Sequence, residues 1–291
     1  MTISVATESV DLGFVQLGWF KVIILGVVQG ITELLPISST AHLRIVPSLL
    51  GWQDPGSAFS AAMQLASLAA VLTYFWQDIK SLSGGTFRAI ATQNYKSKSF
   101  QITLGLLIGT IPIAIAGLLL KKTLNVPNSP LRSLVVVGAA SILMSLLLAL
   151  AEIKGKRQRT FEQITLQDGF WVGVAQAFAL IPGVSRSGST LTSGLFLGLD
   201  RATAARFSFL LGLPAVVLAG ALEMHTLLKA GLDLNGWGIL LAGLASASVS
   251  AFAAIYGLLH YLERQSTWIF VWYRLAMGLF LIIGSAQGFL H

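Results

Sequence analysis

The sequence predicts an all-α polytopic membrane protein. Its 291 residues include only 19 Lys+Arg and 12 Asp+Glu, so charged residues make up 11% of a chain that is 55% hydrophobic. A soluble domain carries about 25% charged residues. The mean hydropathy is +0.77. Long apolar stretches also recur along the chain at the length that a membrane-crossing helix needs.

Composition excludes several classes of function. The chain has no cysteine, which excludes disulfides, thiol catalysis and cysteine-based metal sites. The formal net charge of +7 is expected of a membrane protein with basic cytoplasmic loops, so we predict no nucleic-acid partner. No basic residue precedes Lys21, so the N-terminal segment is not expected to be a cleavable signal peptide. We expect a single membrane domain over residues 1–291.

Six stretches are apolar over about 20 residues, enough to cross the hydrocarbon of a bilayer. These predicted spans are residues 57–76, 99–120, 131–151, 204–224, 237–260 and 268–290. Two further apolar regions, 17–50 and 168–199, are interrupted by polar turns that contain proline. Because proline blocks a helix and exposed backbone is not tolerated in lipid, each region is predicted to form a re-entrant helical hairpin.

The two interrupted regions indicate an internal repeat. The tetrapeptide GVVQ at 26–29 resembles GVAQ at 173–176, an offset of 147 (173 − 26), and the dipeptide FS occurs at 59–60 and 207–208. We therefore predict one repeat over about 15–151 and a second over about 165–290, each with a re-entrant hairpin and three transmembrane helices. Three spans are an odd number, so the repeats are expected to have inverted topology, with a site at their interface.

Basic residues set the expected orientation, since they favour the cytoplasmic side. Placing both termini outside puts the larger basic group in the cytoplasm: Lys80, Arg88, Lys96, Lys98, Lys154, Lys156, Arg157, Arg159, Arg201, Arg206 and Arg264. The first hairpin then enters from outside and the second from the cytoplasm, so that their tips can meet. Arg274 is expected near the cytoplasmic end of the last span.

Polar groups in the first broken segment are candidates for chemistry. Gln29 and Glu33 are spaced i, i+4 and share a helix face. Ser38, Ser39 and Thr40 then begin the next half-helix, with His42 one turn beyond Ser39. A charge at membrane depth by default marks function. The alternatives are an ion pair that only fixes packing and, for the hydroxyls, capping of free N–H groups.

The second broken segment has the composition of an anion site. Residues 182–190 read PGVSRSGST, a loop of small and hydroxyl residues that leads into a helix. Glycine lets backbone approach an oxyanion, and hydroxyl and N–H groups donate to it. Arg186 supplies a planar fork suited to phosphate oxygens. Close helix packing would account for the glycines but not for Arg186.

Together the segments hold the groups that phosphoryl transfer needs. These are an arginine for phosphate charge, a hydroxyl for attack, an imidazole for proton transfer and oxygens for a divalent cation, Mg²⁺ or Ca²⁺. The residues alone leave open whether the anion is hydrolysed or transported. A membrane scaffold without catalysis would leave the buried charges without a role.

At these residues the sequence closely resembles the bacterial undecaprenyl-diphosphatases of the bacitracin-resistance type (the UppP/BacA family). The family's [E/Q]-x-x-x-E motif matches residues 29–33, which continue as LLPISSTAH to position 42, and its P-G-x-S-R-S-x-x-T motif matches 182–190. FSFLL at 207–211 and the dipeptide of Tyr273 and Arg274 also resemble the family. The resemblance covers essentially the whole chain.

The resemblance implies hydrolysis of undecaprenyl diphosphate to undecaprenyl phosphate and phosphate, which recycles the lipid carrier for peptidoglycan and confers bacitracin resistance. It further implies a divalent cation, homodimers, a place in the bacterial inner membrane and a site facing the periplasm. A flippase or transporter of the carrier lipid fits the same features. A lipid phosphatase of the PAP2 type is disfavoured, because no His-x3-Asp follows Arg186.

The family's functional positions map onto this sequence. Glu33 and Gln29 match metal-associated positions, Arg186 the diphosphate-binding arginine, Ser39 the nucleophile and His42 its proton-transfer partner, with His42 as an alternative nucleophile. Polar positions around the phosphates match Ser38, Thr40, Ser185, Ser187 and Thr190. Many members have glutamate in place of Gln29, so we expect weaker metal binding here.

Overall fold

A computed structural model describes residues 12–124, 130–229 and 231–290. These residues form helices and no β-strand. Residues 1–11 and residue 291 lie outside the described part of the chain, and with them the predicted location of both termini. The α-helices, in chain order, are α1 (Gly13–Leu34), α2 (Ser39–Leu49), α3 (Ser57–Tyr74), α4 (Trp76–Ala91), α5 (Lys98–Leu124), α6 (Leu134–Lys154), α7 (Leu166–Ala177), α8 (Arg186–Phe196), α9 (Arg201–Lys229), α10 (Leu234–Arg264) and α11 (Trp268–Ala286).

Six of these helices are long and apolar enough to cross a membrane. They are α1, α6, α10 and α11, together with residues 98–120 of α5 and residues 201–221 of α9. Large apolar side chains on their outer faces are exposed, among them Leu118, Leu119 and Val249. Apolar surface of this extent is covered by lipid in a membrane protein. The chain is therefore a multi-pass membrane protein, as the sequence predicts.

The first third of the chain differs from the prediction in two places. The first arm of the hairpin is not half-length: α1 has 22 residues, interrupted only at Gly18, whose φ of 75° lies outside the helical range. The predicted span at 57–76 ends as a helix at Tyr74, and the polar helix α4 follows it directly. Sequence analysis did not predict α4, because its apolar residues are too few for a span and polar side chains separate them.

Glycines bring three pairs of helices into close contact. A Cβ atom on Gly30 of α1 would lie 2.2 Å from the carbonyl oxygen of Ala247 in α10, and one on Gly173 of α7 would lie 2.2 Å from that of Gly109 in α5. Between α6 and α11, a Cβ on Gly138 would lie 2.7 Å from the Gly278 carbonyl oxygen. Small residues drive association in lipid because they let backbones approach closely. The first helix of each broken segment is thus fixed against a membrane-spanning helix.

The two broken segments have the same local conformation. The residue before α2 is Ser38 (φ 72°) and the residue before α8 is Ser185 (φ 70°), both with positive φ. Each serine is followed by a helix of 11 residues. A positive-φ glycine then follows each helix, Gly51 after α2 and Gly198 after α8. Positive φ in a residue other than glycine is strained and occurs preferentially at functional sites.

Ion pairs join the helix ends on one side of the bundle. Glu152, at the end of α6, accepts hydrogen bonds from Arg157, Arg201 and Thr267. Arg159, in the loop before α7, pairs with Asp168 at 2.5 Å. Its hydrogen bonds to Asp168 raise the pKa of Arg159 above its ordinary value, so the guanidinium stays charged. These contacts tie the starts of α9 and α11 to the end of α6, and the start of α7 to the loop before it.

Candidate active site

The two broken segments lie in direct contact, as the sequence predicts. The hydroxyl of Ser187, in the first turn of α8, donates to the backbone carbonyl of Leu35 at 2.9 Å and to that of Glu33 at 3.2 Å. Both acceptors lie where α1 ends and its last carbonyls have no partner within the helix. The predicted phosphate-binding residue Ser187 therefore joins the two breaks.

Glu33 lies at the centre of the candidate site. Its Oε2 atom accepts a hydrogen bond from the Ser39 hydroxyl at 2.5 Å and one from the Gln29 amide nitrogen at 3.0 Å. Its Oε1 atom lies 3.1 Å from a guanidinium nitrogen of Arg186. The spacing of Gln29 and Glu33 by one helical turn, and the break after Leu34, bring these groups together. Four predicted site residues thus form one hydrogen-bonded cluster.

Arg186 begins α8 and extends across the interface between the halves. Besides Glu33, it donates to the backbone carbonyl of Gly212 in α9 at 3.2 Å. A Cβ atom at Gly212 would lie 2.6 Å from the guanidinium, so a glycine at this position makes room for the arginine. The Arg186 side chain is 19% exposed and Glu33 is 9% exposed. The arginine therefore has one carboxylate partner and retains access from outside.

His42 is oriented by two contacts away from this cluster. Its Nδ1 atom lies 2.7 Å from the backbone carbonyl oxygen of Ser38, and its Nε2 atom lies 2.6 Å from the hydroxyl of Tyr273 in α11. The two rings are stacked, with centroids 5.6 Å apart. The predicted Ser39–His42 contact is absent from the hydrogen bonds of the described residues, because Ser39 donates to Glu33. Glu33, rather than His42, is the group positioned to accept the Ser39 proton.

The remaining predicted residues shape the loops. The Ser185 hydroxyl accepts from the backbone N–H of Gly188 at 3.1 Å and so caps α8. Thr190 bonds the Arg186 carbonyl at 2.7 Å and also the Ser208 hydroxyl, which fixes the first turn of α8. Ser38 is buried and supplies the carbonyl that orients His42, whereas Thr40 is exposed. Capping and loop geometry are thus the roles of Ser38, Ser185 and Thr190 in this conformation.

Arg274 is a site residue that the sequence did not identify as one. It lies near the start of α11 and is fully buried, and its predicted place near the cytoplasmic end of the last span stays a prediction. It donates to the carbonyl of Pro36 in the first break at 2.9 Å and to those of Gly183 and Val184 in the second at 2.8 and 3.0 Å. The bias of basic residues toward the cytoplasm predicts a side of the membrane for Arg274 but no partner. The proline in each break, which leaves carbonyls unpaired, is the signal that could have located it.

The residues around Glu33 fit a hard divalent cation. Among the described residues no group of three or more His, Cys, Asp or Glu side chains could hold a metal by itself. Among those residues the buried Oε1 atom of Gln29 has no hydrogen-bond partner, while the amide nitrogen of the same side chain faces Glu33. Mg²⁺ commonly takes one or two protein oxygens and completes its shell with substrate phosphate and water. The Glu33 carboxylate fits that requirement, and rotation of the Gln29 amide would bring its oxygen to the same place.

The arrangement has the elements of phosphoryl transfer. Arg186 provides planar donors for phosphate oxygens, and Ser39 provides a hydroxyl bonded to a carboxylate that can accept its proton. Ser38 and Ser185, the serines with positive φ, immediately precede Ser39 and Arg186. Ser39 and Arg186 therefore stand at helix starts, where free N–H groups favour an anion. The geometry is therefore that of a compact anion site built jointly by two halves of the chain.

Comparison with known proteins agrees with this chemistry. The model of the family described as bacitracin resistance protein BacA matches residues 22–280. Undecaprenyl-diphosphatase 2 of Mesorhizobium japonicum is 58% identical over 262 residues, which are 90% of this chain and 99% of that protein. The undecaprenyl-diphosphatase of Trichormus variabilis is 52% identical over 99% of this chain and 90% of its own length. That of Gloeobacter violaceus is 54% identical over 94% of both chains. The chain belongs to the BacA family of bacitracin resistance proteins.

Proposed function

We propose that this chain is an integral membrane phosphatase that hydrolyses undecaprenyl diphosphate to undecaprenyl phosphate and inorganic phosphate. The reaction recycles the lipid carrier for peptidoglycan synthesis and, by removing the diphosphate, confers bacitracin resistance. The observation that carries the proposal is the contact of Glu33 with both Ser39 and Arg186. It joins the nucleophile of one motif to the phosphate-binding arginine of the other, in a chain whose relatives bear this activity in their names.

Substrate binding begins with an exchange of partners at Arg186. Its guanidinium is neutralised by Glu33 at 3.1 Å, and a diphosphate offers it stronger bidentate acceptors. The hydroxyls of Ser185 and Ser187 and the free N–H groups at the start of α8 are next to the arginine and would donate to the same phosphates. Ser38, Thr40 and Thr190 complete the polar surroundings. The prenyl chain remains in lipid.

The exchange leaves Glu33 able to assist the attack. The Ser39 oxygen bonds to the terminal phosphorus and the bond from that phosphorus to the bridging oxygen breaks, so undecaprenyl phosphate departs. The Ser39 proton passes to Glu33 Oε2, its hydrogen-bond acceptor at 2.5 Å. Water then attacks the phosphoserine with His42 as proton acceptor, and the bond from phosphorus to the Ser39 oxygen breaks. Glu33 returns its proton to that oxygen, which restores the serine, and the His42 proton leaves with phosphate or solvent. His42 as direct nucleophile remains the alternative.

We assign the divalent cation, Mg²⁺ or Ca²⁺, to Glu33 and Gln29. The unpaired Gln29 Oε1 atom and the Glu33 Oε1 atom that Arg186 releases are the protein oxygens offered to it. When bound, such a cation neutralises phosphate charge and favours the leaving group. An amide at position 29 contributes a neutral oxygen, so most of the affinity is expected to come from Glu33 and the diphosphate.

The inverted repeat and the orientation belong to the same proposal. Matching positive-φ serines at 38 and 185, an offset of 147 (185 − 38), support a duplication. The packing of α1 on α10 and of α7 on α5 supports a pseudo-twofold relation. The end that holds Glu152 and its arginines is assigned to the cytoplasm by its basic residues. Both termini then lie outside and the site opens to the periplasm of the inner membrane; the homodimer rests on the resemblance alone.

Phosphate release from undecaprenyl diphosphate by the purified protein in detergent tests the proposal. Wild type should release phosphate, and both a chelator and Arg186→Ala should abolish release while the protein stays folded. Detergent solution has no second compartment, so a protein that only flips or transports the lipid would release none. Full activity of folded Arg186→Ala and Glu33→Ala would contradict the site. A covalent phosphoenzyme trapped in wild type and absent from Ser39→Ala would identify the nucleophile.

A further inference from the structure

We propose that Tyr273 is a positioning residue whose hydroxyl holds the Nε2 lone pair of His42, in the neutral tautomer that the Ser38 carbonyl sets by keeping the proton on Nδ1. The proposal rests on the proposed function of His42 as a proton acceptor. Tyr273 acts through His42, which it contacts at 2.6 Å.

The hydrogen bonds of His42 determine where its proton lies. The backbone carbonyl oxygen of Ser38 can only accept a hydrogen bond, so Nδ1, 2.7 Å away, must carry the proton. In a neutral imidazole Nε2 is then an acceptor, and the Tyr273 hydroxyl is its donor. Nε2 is consequently the basic atom of His42, and the tyrosine occupies its lone pair.

Neighbouring contacts hold Tyr273 in place. Arg274, the next residue of α11, is anchored to the carbonyls of Pro36 and Gly183 at 2.9 and 2.8 Å. Pro36 lies two residues before Ser38, whose carbonyl orients the other side of the imidazole. Helix α11 therefore contacts the first broken segment at two points: Arg274 bonds the Pro36 carbonyl, and Tyr273 bonds His42. A shift of α11 relative to α2 would release both contacts together.

The placement of the two rings indicates that Tyr273 limits access to the His42 imidazole and does more than pack against it. His42 is buried, with 8% exposure, whereas Tyr273 is 45% exposed and stacks on it at an interplanar angle of 7°. The hydroxyl stands at the one basic atom of the imidazole. Proton transfer through Nε2 therefore requires either that this hydroxyl turn away or that it pass the proton on.

A second tyrosine–histidine stack provides a matched control. Tyr256 and His260 of α10 stack with centroids 6.3 Å apart and an interplanar angle of 4°. This pair is exposed, and among the described residues no hydrogen bond joins its hydroxyl to its imidazole. Tyr256→Phe therefore removes the same atom from a similar stack that has no part in the site.

Nitrogen NMR of the ¹⁵N-histidine-labelled protein tests the tautomer without any turnover. The chain has 4 histidines, and the spectrum of His42→Gln identifies the His42 signals. In wild type, Nδ1 should be protonated and Nε2 unprotonated but shielded by a hydrogen bond. In Tyr273→Phe, which keeps the ring, the Nε2 signal should move downfield to the value of a free lone pair, and Tyr256→Phe should leave it in place. A proton on Nε2 in wild type, or an unmoved signal in Tyr273→Phe, would overturn the proposal.

Kinetics then tests whether the contact matters for the reaction. Tyr273→Phe should lower kcat about 10-fold, as removal of a group that orients a catalytic side chain does, with KM changed less than about twofold. In the His42→Gln background the same substitution should have no further effect. An equal loss in both backgrounds would mean that Tyr273 does not act through His42. Failure of wild type to release phosphate would contradict the proposed activity alone, because the NMR assignment needs no catalysis.

Discussion

Two glutamate–arginine clusters in this molecule differ in how many arginines share the glutamate. Glu152 is 4% exposed and accepts from two arginines, Arg157 and Arg201, and from Thr267. Glu33 is 9% exposed and also has three donors, Gln29, Ser39 and Arg186, but a single arginine among them. The neighbouring Gln29 leaves an amide oxygen unpaired.

The difference separates a cluster that holds helices together from one that can bind a ligand. A buried carboxylate shared by two arginines ties the segments that carry them together, and removing it leaves both cations without that partner. A carboxylate with a single exchangeable arginine can give up that partner to an incoming phosphate. Variants of the two clusters should therefore separate stability from activity.

The largest effect is expected from Arg186→Ala. It removes the main donor to the phosphates, so kcat/KM for phosphate release should fall by about 10³-fold, in the range seen when a group that stabilises transition-state charge is lost. The matched variant Arg201→Ala removes an arginine from the Glu152 cluster. It should lower the melting temperature more than Arg186→Ala does and keep near-normal turnover per folded molecule. Equal losses of activity in the two variants would contradict the assignment of activity to the Glu33 cluster and of stability to the Glu152 cluster.

Glu152→Gln should have the largest effect on stability. Arg157 and Arg201 would both lose the carboxylate that they share, and we expect the free energy of unfolding to fall by about 2 kcal/mol, as for hydrogen bonds to a charged group. Glu33→Gln should cost less, because only one arginine, Arg186, loses its carboxylate and that arginine keeps the Gly212 carbonyl. Unfolding of both variants in mixed micelles, followed by circular dichroism, compares them directly. A larger loss of stability in Glu33→Gln would show that the structural role belongs to the Glu33 cluster and not to the Glu152 cluster.

Sequence and structure agree where the signal is local and disagree where it depends on distant partners. The breaks in both segments follow from proline and serine, and the i, i+4 spacing of Gln29 and Glu33 suffices to place them together. The contact of His42 with Tyr273 joins residues 231 positions apart, and spacing carries no information about it. Helix α4 was missed because it lacks the length of apolar sequence that marks a span.

The role of Arg274 was missed for the same reason. Its partners are backbone carbonyls, which every residue has and which no side-chain pattern reveals. The unpaired carbonyls of two breaks needed a buried donor, but nothing in the sequence links them to an arginine of α11.

Arg274 offers a third kind of arginine, one whose donors are satisfied by carbonyls of both breaks. Arg274→Lys replaces a planar fork by a single ammonium that cannot bridge the two loops. We expect turnover to fall about tenfold through misalignment of Glu33 and Arg186, with a smaller change in KM. Phosphate-release kinetics measures the effect, and Arg264→Lys, at the exposed end of α10, is the control. Wild-type kinetics in Arg274→Lys would show that the hydrogen bonds from Arg274 to the two breaks are not needed for turnover.

The smallest expected effect concerns the unpaired oxygen beside Glu33. Gln29→Glu replaces the amide that donates to Glu33 at 3.0 Å with a second carboxylate, and two carboxylates side by side repel unless a cation lies between them. The Mg²⁺ concentration for half-maximal activity should therefore fall about three- to tenfold at a similar maximal rate, the affinity rising because a charged ligand replaces a neutral one. Gln176→Glu is the control, since Gln176 occupies the matching position of α7, 147 residues on (176 − 29), and Leu180 stands four residues after it where Glu33 follows Gln29. The activity of the folded Gln176→Glu protein should have the same Mg²⁺ dependence as that of wild type. If Gln29→Glu did the same, the cation would not be held at position 29, and the unpaired oxygen would be a feature of packing rather than of the site.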